Sequence, residues 1–210
     1  MKITKIFHSC ILIEKENVKI LVDPGTWIFG EGFAKFEDFK DVDAVLVTHE
    51  HQDHYYPEAL KEFAGYGARI ITNSSITSKL REFDVDSEAL KPGDSTDVSV
   101  ISIKATDSPH GALPVPVPEN IGFVIDNRLF ITGDSLLPVM HAEVAFIPIT
   151  APWMKLTEAV EFTKKINPNI AVPVHDGFMK YPFALNLFTK VISEAGIQVK
   201  AGNPGESFEI

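Results

Sequence analysis

Apolar and polar positions change period several times along the chain, and each change marks an element. Ile3 to His8, Cys10 to Glu14 and Val18 to Val22 are β-branched runs, which predicts three short strands with a turn at Glu16-Asn17. The meander stops at Asp23-Pro24-Gly25, a turn signal that leaves an acid at a strand end. Val42 to Val47 is continuously apolar, as a buried strand is, and Pro57 opens a predicted helix to about Ala64. Arg69 to Thr72 follows as a strand, then a helix capped by Ser74 or Ser75 and running to about Phe83.

Strands return in the middle. Leu90 to Asp94 is a turn, Val98 to Ala105 alternates as a strand, and Ile121 to Ile125 pairs with Leu129 to Thr132 around Asp126-Asn127. Gly111 to Glu119, with prolines at 114, 116 and 118, is a loop. The last third alternates: strands at Val144 to Ile147 and Ile170 to Val174, a helix at Leu156 to Ile166 with Lys155 or Thr157 near its start, and a long helix from Pro182 to Ala195 stopped by Gly196. Ile197 to Lys200 and Ser207 to Ile210 close the chain as strands. Helices placed after strands in both halves predict an α/β fold, a four-layer αβ/βα sandwich in one domain spanning 1–210. Trp27, Phe29, Phe33, Phe36 and Phe39, interleaved with Gly30 and Gly32, leave two readings open: a segment packed on the core, or a wall over a pocket.

Composition narrows the partners. At 210 residues, 45% apolar and 23% charged, the chain can bury a full core and does not resemble a disordered protein. Its formal net charge of -10 argues against nucleic acid as a partner and for a small-molecule substrate. Cys10 is the only cysteine, so neither an intrachain disulfide nor a cysteine-built zinc site is available. Met1 to Ile6 has no signal-peptide pattern and no run of 18 apolar residues occurs, so a cytoplasmic protein without membrane contact is expected. Fifteen phenylalanines make a homo-oligomer a candidate state.

The chemistry is concentrated in Thr48-His49-Glu50-His51-Gln52-Asp53-His54, directly after the Val42 to Val47 run. Histidines two apart on extended chain point the same way, so His49 and His51 can reach one metal. Asp53 continues that spacing while His54 points elsewhere, so one loop can serve two neighbouring metals. His110, Asp134 and His175 each stand after a predicted strand, in Ser108-Pro109-His110-Gly111, Gly133-Asp134-Ser135 and Val174-His175-Asp176. Such strand-end ligands could be gathered at one rim of a sheet pair, with Asp134 a suitable bridging carboxylate.

These blocks, in this order, resemble a metallo-β-lactamase-fold hydrolase. With the segment His8-Ser9-Cys10-Ile11-Leu12-Ile13, the spacing is most similar to a small prokaryotic branch that includes the ascorbate-6-phosphate lactonase-like proteins. The resemblance implies that His49, His51 and His110 hold one divalent metal, that Asp53, His54 and His175 hold a second, and that Asp134 bridges them. Zinc is the first candidate, with manganese or iron as alternatives. It implies that Asp23 lies beneath the histidine loop and hydrogen-bonds it. The expected reaction is attack by a metal-bridging hydroxide on a small-molecule ester, lactone or phosphodiester, with Asp53 or Asp134 taking up the proton. His8 is expected near the site, orienting substrate or leaving group, and His141 at the pocket mouth. Pocket walls are expected from Trp27 to Phe39, Tyr55-Tyr56, the prolines of 113 to 118 and Trp153-Met154. The rival reading is a di-iron or other non-hydrolytic redox or scaffold protein on the same fold.

Overall fold

The computed structural model describes residues 1–137, 141–177, 182–200 and 204–210. The first half contributes β1 (Lys2–Phe7), β2 (Cys10–Lys15), β3 (Val18–Val22), β4 (Ala44–Leu46), β5 (Arg69–Thr72) and β6 (Glu88–Ala89), with helices α1 (Thr26–Gly30), α2 (Pro57–Gly65) and α3 (Ser74–Leu80). The second contributes β7 (Ser95–Val98), β8 (Ile101–Asp107), β9 (Ile121–Ile125), β10 (Leu129–Ile131), β11 (Val144–Pro148), β12 (Ile170–Val174) and β13 (Gln198–Val199), with α4 (Leu156–Ile166) and α5 (Phe183–Glu194). The last strand, β14 (Ser207–Glu209), returns to pair antiparallel with β1. The result is two seven-stranded sheets, ordered β14-β1-β2-β3-β4-β5-β6 and β13-β12-β11-β10-β9-β8-β7.

Strand alternation sorts the side chains into layers. Ile11 and Ile13 of β2 and Val18, Ile20 and Val22 of β3 enter the space between the sheets, where Ile103, Phe123 and Ile125 meet them. The opposite row, Cys10 and Leu21 among it, packs with Ile28, Leu60 and Phe63 under α1 to α3. Phe130, Ala145 and Ala171 pack with Phe162, Ile166 and Phe188 under α4 and α5. In α4 the buried set Ala159, Phe162, Thr163 and Ile166 has the spacing of a single helical face. Helix, sheet, sheet and helix thus form the four expected layers.

Several local expectations are corrected. The Val98 to Ala105 run is two strands, because Ser99 takes a positive φ of 52° and turns the chain into the β7–β8 hairpin. Neither Ser74 nor Ser75 caps α3; the Asn73 side-chain oxygen Oδ1 accepts from the Ile76 N–H at 3.0 Å. The aromatic stretch satisfies each of its two readings with different residues. Phe29, Phe36 and Phe39 cluster with Phe63 at centroid distances of 6.0–6.3 Å, on the core. Phe33 instead stacks on Phe7 at 3.9 Å, and Trp27 lies 4.8 Å from the His8 ring.

Strand direction places the chemistry. β1, β3, β4 and β5 run one way in the first sheet, and β8, β10, β11 and β12 share one direction in the second. His8, Asp23, the Thr48 to His54 loop, His110, Asp134 and His175 all follow the ends of these strands. One rim of the sheet pair therefore receives them all.

Candidate metal centre

The histidine loop is tied down before any ligand is considered. His54 and Tyr55 both donate backbone N–H groups to the His51 carbonyl, at 2.9 and 2.8 Å, and the Thr26 N–H reaches the Gln52 carbonyl at 2.7 Å. Gly25 lets the β3 loop press against it, since a Cβ there would fall 2.1 Å from the Asp53 carbonyl carbon. Asp23, almost fully buried, supports the loop from beneath: it accepts from the Thr48 N–H (2.8 Å), the Thr48 hydroxyl (2.9 Å) and His54 Nδ1 (2.9 Å).

Two groups of side chains gather above it: His49, His51, His110 and Asp134, and His8, Asp53, His54 and His175. Within each, the candidate ligand atoms lie within 4.8 Å of one another. In the first, His51 Nδ1 is 3.2 Å from His49 Nε2 and 3.3 Å from His110 Nε2. In the second, Asp53 Oδ2 stands 3.2 Å from His175 Nε2 and 3.0 Å from His8 Nε2. Asp134 touches both, with Oδ2 3.5 Å from His110 Nε2 and 3.3 Å from His175 Nε2, and Oδ1 3.3 Å from His54 Nε2.

Outer hydrogen bonds turn the ring nitrogens inward. His54 Nδ1 faces Asp23, His110 Nδ1 faces the Gly111 carbonyl at 2.6 Å, and His175 Nδ1 faces the Thr150 carbonyl at 2.5 Å. The Thr48 hydroxyl gives its proton to Asp23 and so accepts from His49 Nδ1, at 3.0 Å. In its neutral form each of these four rings keeps its Nε2 lone pair for the interior, the tautomer a metal requires. The donor set fits a cation on a second count: His54 Nε2 and Asp134 Oδ1 are buried, 3.3 Å apart, and neither has a hydrogen-bond partner among the described residues.

The electrostatics ask for positive charge. Burial opposes ionisation of Asp134, but His175 and His54 outweigh it and hold its carboxyl well below the usual range. Asp53 behaves alike, held down against burial chiefly by His175 and His54. Burial likewise opposes the charged form of His175, yet Asp134 and Asp53 prevail and push its pKa up to about 9. His54 is also raised, against burial, by Asp134 and Asp23. Without a metal, protons on these two rings balance the acids; a divalent cation would displace them.

Not every expected residue comes to the centre. His141 precedes β11, at the rim opposite the site, where it is exposed and its Nδ1 lies 2.9 Å from the Ile166 carbonyl. The five residues of β11 separate it from the centre by about 16 Å. Sequence adjacency to Asp134 was misleading because the parallel β10–β11 crossover carries the chain back to the far rim; Pro138 to Met140 lie outside the described residues. Tyr55 is no pocket wall but a core side chain, 8% exposed. Trp153 has a role beyond that of wall: its Nε1–H donates to Asp134 Oδ2 at 3.0 Å, which no spacing in the sequence signals. An open cleft of ≈ 420 Å³ beside the second group is lined by Phe7, Trp27, Glu31, Phe33 and Gly177.

Residues 2–175 match the family model described as a β-lactamase superfamily domain. The chain belongs to the β-lactamase superfamily. Its fold and paired His/Asp groups make it a metal-dependent hydrolase of the metallo-β-lactamase type, related to the UPF0173 family. A Mycobacterium tuberculosis protein is 30% identical over 191 residues, 85% of each chain. A UPF0173 protein of Pyrococcus furiosus is 30% identical over 193 residues, 84% of each chain. A metallo hydrolase of the archaeon Ignicoccus hospitalis superposes with a TM-score of 0.80 at 26% identity, covering 100% of this chain and 98% of that one. The di-iron β-hydroxylase of Streptomyces venezuelae, at 15% identity, TM-score 0.75 and 54% of its own length, shares the fold alone.

Proposed function

We propose that the chain hydrolyses a small-molecule ester, lactone or phosphodiester with water activated at two divalent cations, zinc first among the candidates. His49, His51 and His110 would hold one, Asp53, His54 and His175 the other, and Asp134 both. When bound, such a pair supplies Lewis acidity and lowers the pKa of water so that a nucleophile is available near neutral pH. The observation that carries this reading is the position of Asp134, whose carboxylate lies within 3.5 Å of ring nitrogens from both groups.

The protein's own share is to hold and to orient. Asp23 fixes the tautomers of His54 and, through Thr48, of His49. Asp53 is the more exposed of the two inner carboxylates, at 10% against 4%, and would be the nearer of the two to solvent for relaying a proton out of the site. On the substrate side the cleft itself has no lysine or arginine among its described lining, and Lys5, which lines a neighbouring cavity beside Phe7, His8 and Gly177, is held by Asp176 at 2.5 Å and by the Pro173 carbonyl at 3.0 Å. A paired lysine is a poor phosphate anchor. An uncharged lactone or ester therefore suits the described lining better than the phosphorylated sugar that the lactonase-like branch would imply.

Metal analysis of protein purified without added metal, combined with hydrolysis assays on lactone, ester, thioester and phosphodiester panels before and after chelation, tests this. Two divalent ions per chain, with activity lost on chelation and restored by reloading, is the expected result. A metal-free protein with hydrolytic activity, or an iron-loaded one with redox turnover and no hydrolysis, overturns it.

A further inference from the structure

His8 shares the second group with three candidate ligands, but its hydrogen bonding has the opposite polarity. His49, His54, His110 and His175 each turn Nδ1 towards an oxygen acceptor. His8 Nδ1 instead faces a donor, the backbone N–H of Gly177, at 3.0 Å. An amide N–H can only donate, so this nitrogen carries a lone pair and the ring's proton resides on Nε2. Nε2 lies 3.0 Å from Asp53 Oδ2. A ring accepting at Nδ1 could bind a cation through Nε2 only by losing its last proton.

We infer that His8 is a positioning residue and not a metal ligand: locked as the Nε2–H tautomer by Gly177, it donates to Asp53 Oδ2 and fixes the rotation of that carboxylate. This rests on the ligand assignment proposed above for Asp53, His54 and His175. The same oxygen keeps a second lone pair for a cation shared with His175 Nε2, 3.2 Å away. The His175 N–H also donates to the His8 carbonyl at 3.3 Å, so two bonds bolt the β1–β2 turn to the loop after β12. Asp53, on a loop of the first sheet, is thereby set against His175, on a strand end of the second.

Two backbone features make the lock specific to these residues. A Cβ on Gly177 would fall 2.7 Å from Phe7 Cζ and 3.0 Å from His8 Nδ1, so a larger residue would have to displace the Phe7 ring or the His8 ring from the N–H. His8 itself sits at φ 55°, a left-handed conformation that costs a histidine energy and persists only when its neighbours hold it.

The test uses the wild-type protein, 15N-labelled at histidine, metal-free and loaded with 113Cd. The His8 ring should show the Nε2–H tautomer in both states and no 113Cd–15N coupling, while the rings of His49, His54, His110 and His175 couple. Coupling to His8, or an Nδ1–H pattern, overturns the inference. If no imidazole couples, the two-metal assignment has failed, and the His8 tautomer in the same spectra still decides this claim. As a second arm, His8→Ala should weaken binding of one of the two cations about 10- to 100-fold. His8→Gln, whose amide N–H replaces Nε2–H, should restore most of that affinity. Equal loss in both variants, with one ion fewer bound, identifies a ligand and overturns the proposal.

Discussion

Asp23 and Asp134 occupy the same station in the two sheets and are used in opposite ways. β3 pairs antiparallel with β2 and parallel with β4; β10 pairs antiparallel with β9 and parallel with β11. Each aspartate stands just past the strand where a meander gives way to parallel crossovers, a switch point where a crevice opens at the strand ends. Both are nearly fully buried. The Asp23 carboxylate takes three hydrogen bonds, two from Thr48 and one from His54. Asp134 receives Trp153 Nε1–H on Oδ2 and leaves Oδ1, which faces the His54 ring, without a hydrogen-bond partner among the described residues. A buried carboxylate with its valences filled by donors is a support, and one left open among imidazoles is a place for a cation. Topology supplies the station; the local donors decide the use.

The comparison breaks most visibly at Asp134. Asp134→Ala should remove the shared ligand, leave at most one metal per chain by elemental analysis, and lower kcat/KM about a thousandfold, ~4 kcal/mol of barrier. Asp23→Ala should act through support: Thr48 and His54 keep buried donors without an acceptor, costing about 1–3 kcal/mol in denaturant unfolding. Metal affinity should fall about 10- to 100-fold, while the number of ions bound at saturation stays two. Equal loss of stoichiometry in both variants would erase the distinction.

The pH dependence of the metal-free protein sharpens it further. The folded-state pKa of His175 lies at about 9, above the ordinary 6.5. That raised value contributes stability fully present below pH 6.5 and lost as pH rises through 9. Chelator-treated protein should therefore show a falling Tm over that range, and the metal-loaded form should not. Trp153→Phe, which removes one N–H from Asp134 while keeping an aromatic ring at the position, should cost about tenfold in kcat/KM, ~1.4 kcal/mol, with two metals retained. His141→Ala, at the far rim, should change stability by less than about 0.5 kcal/mol and leave kinetics unaltered.

Much of the fold was legible because periodicity and turn chemistry are local. Arg69–Thr72, Leu156–Ile166 and Ile170–Val174 begin and end as predicted, and Asp126 and Asn127 form the expected hairpin turn with φ of 51° and 53°. Errors came where a backbone conformation or a distant partner decided. Ser99 breaks a run whose alternation continues through it, and Asn73 wins the α3 cap because its amide also donates to the Thr48 and Glu119 carbonyls. In the metal centre, residue types and order indicated which side chains meet.

The sequence by itself determined the α/β layering, the strand-end placement of the chemistry and the kinds of ligand available, since each depends on residue type and near neighbours. The tertiary structure alone decided which way a side chain's hydrogen bonds run. His8, His141 and Trp153 could not be separated from His54, His175 and a plain pocket wall by spacing. Their roles depend on partners 19 to 169 residues away: the Gly177 amide for His8, the Ile166 carbonyl for His141 and the Asp134 carboxylate for Trp153. Such contacts exist only once the two sheets have packed, because strand direction and loop docking, not local pattern, set which groups face each other.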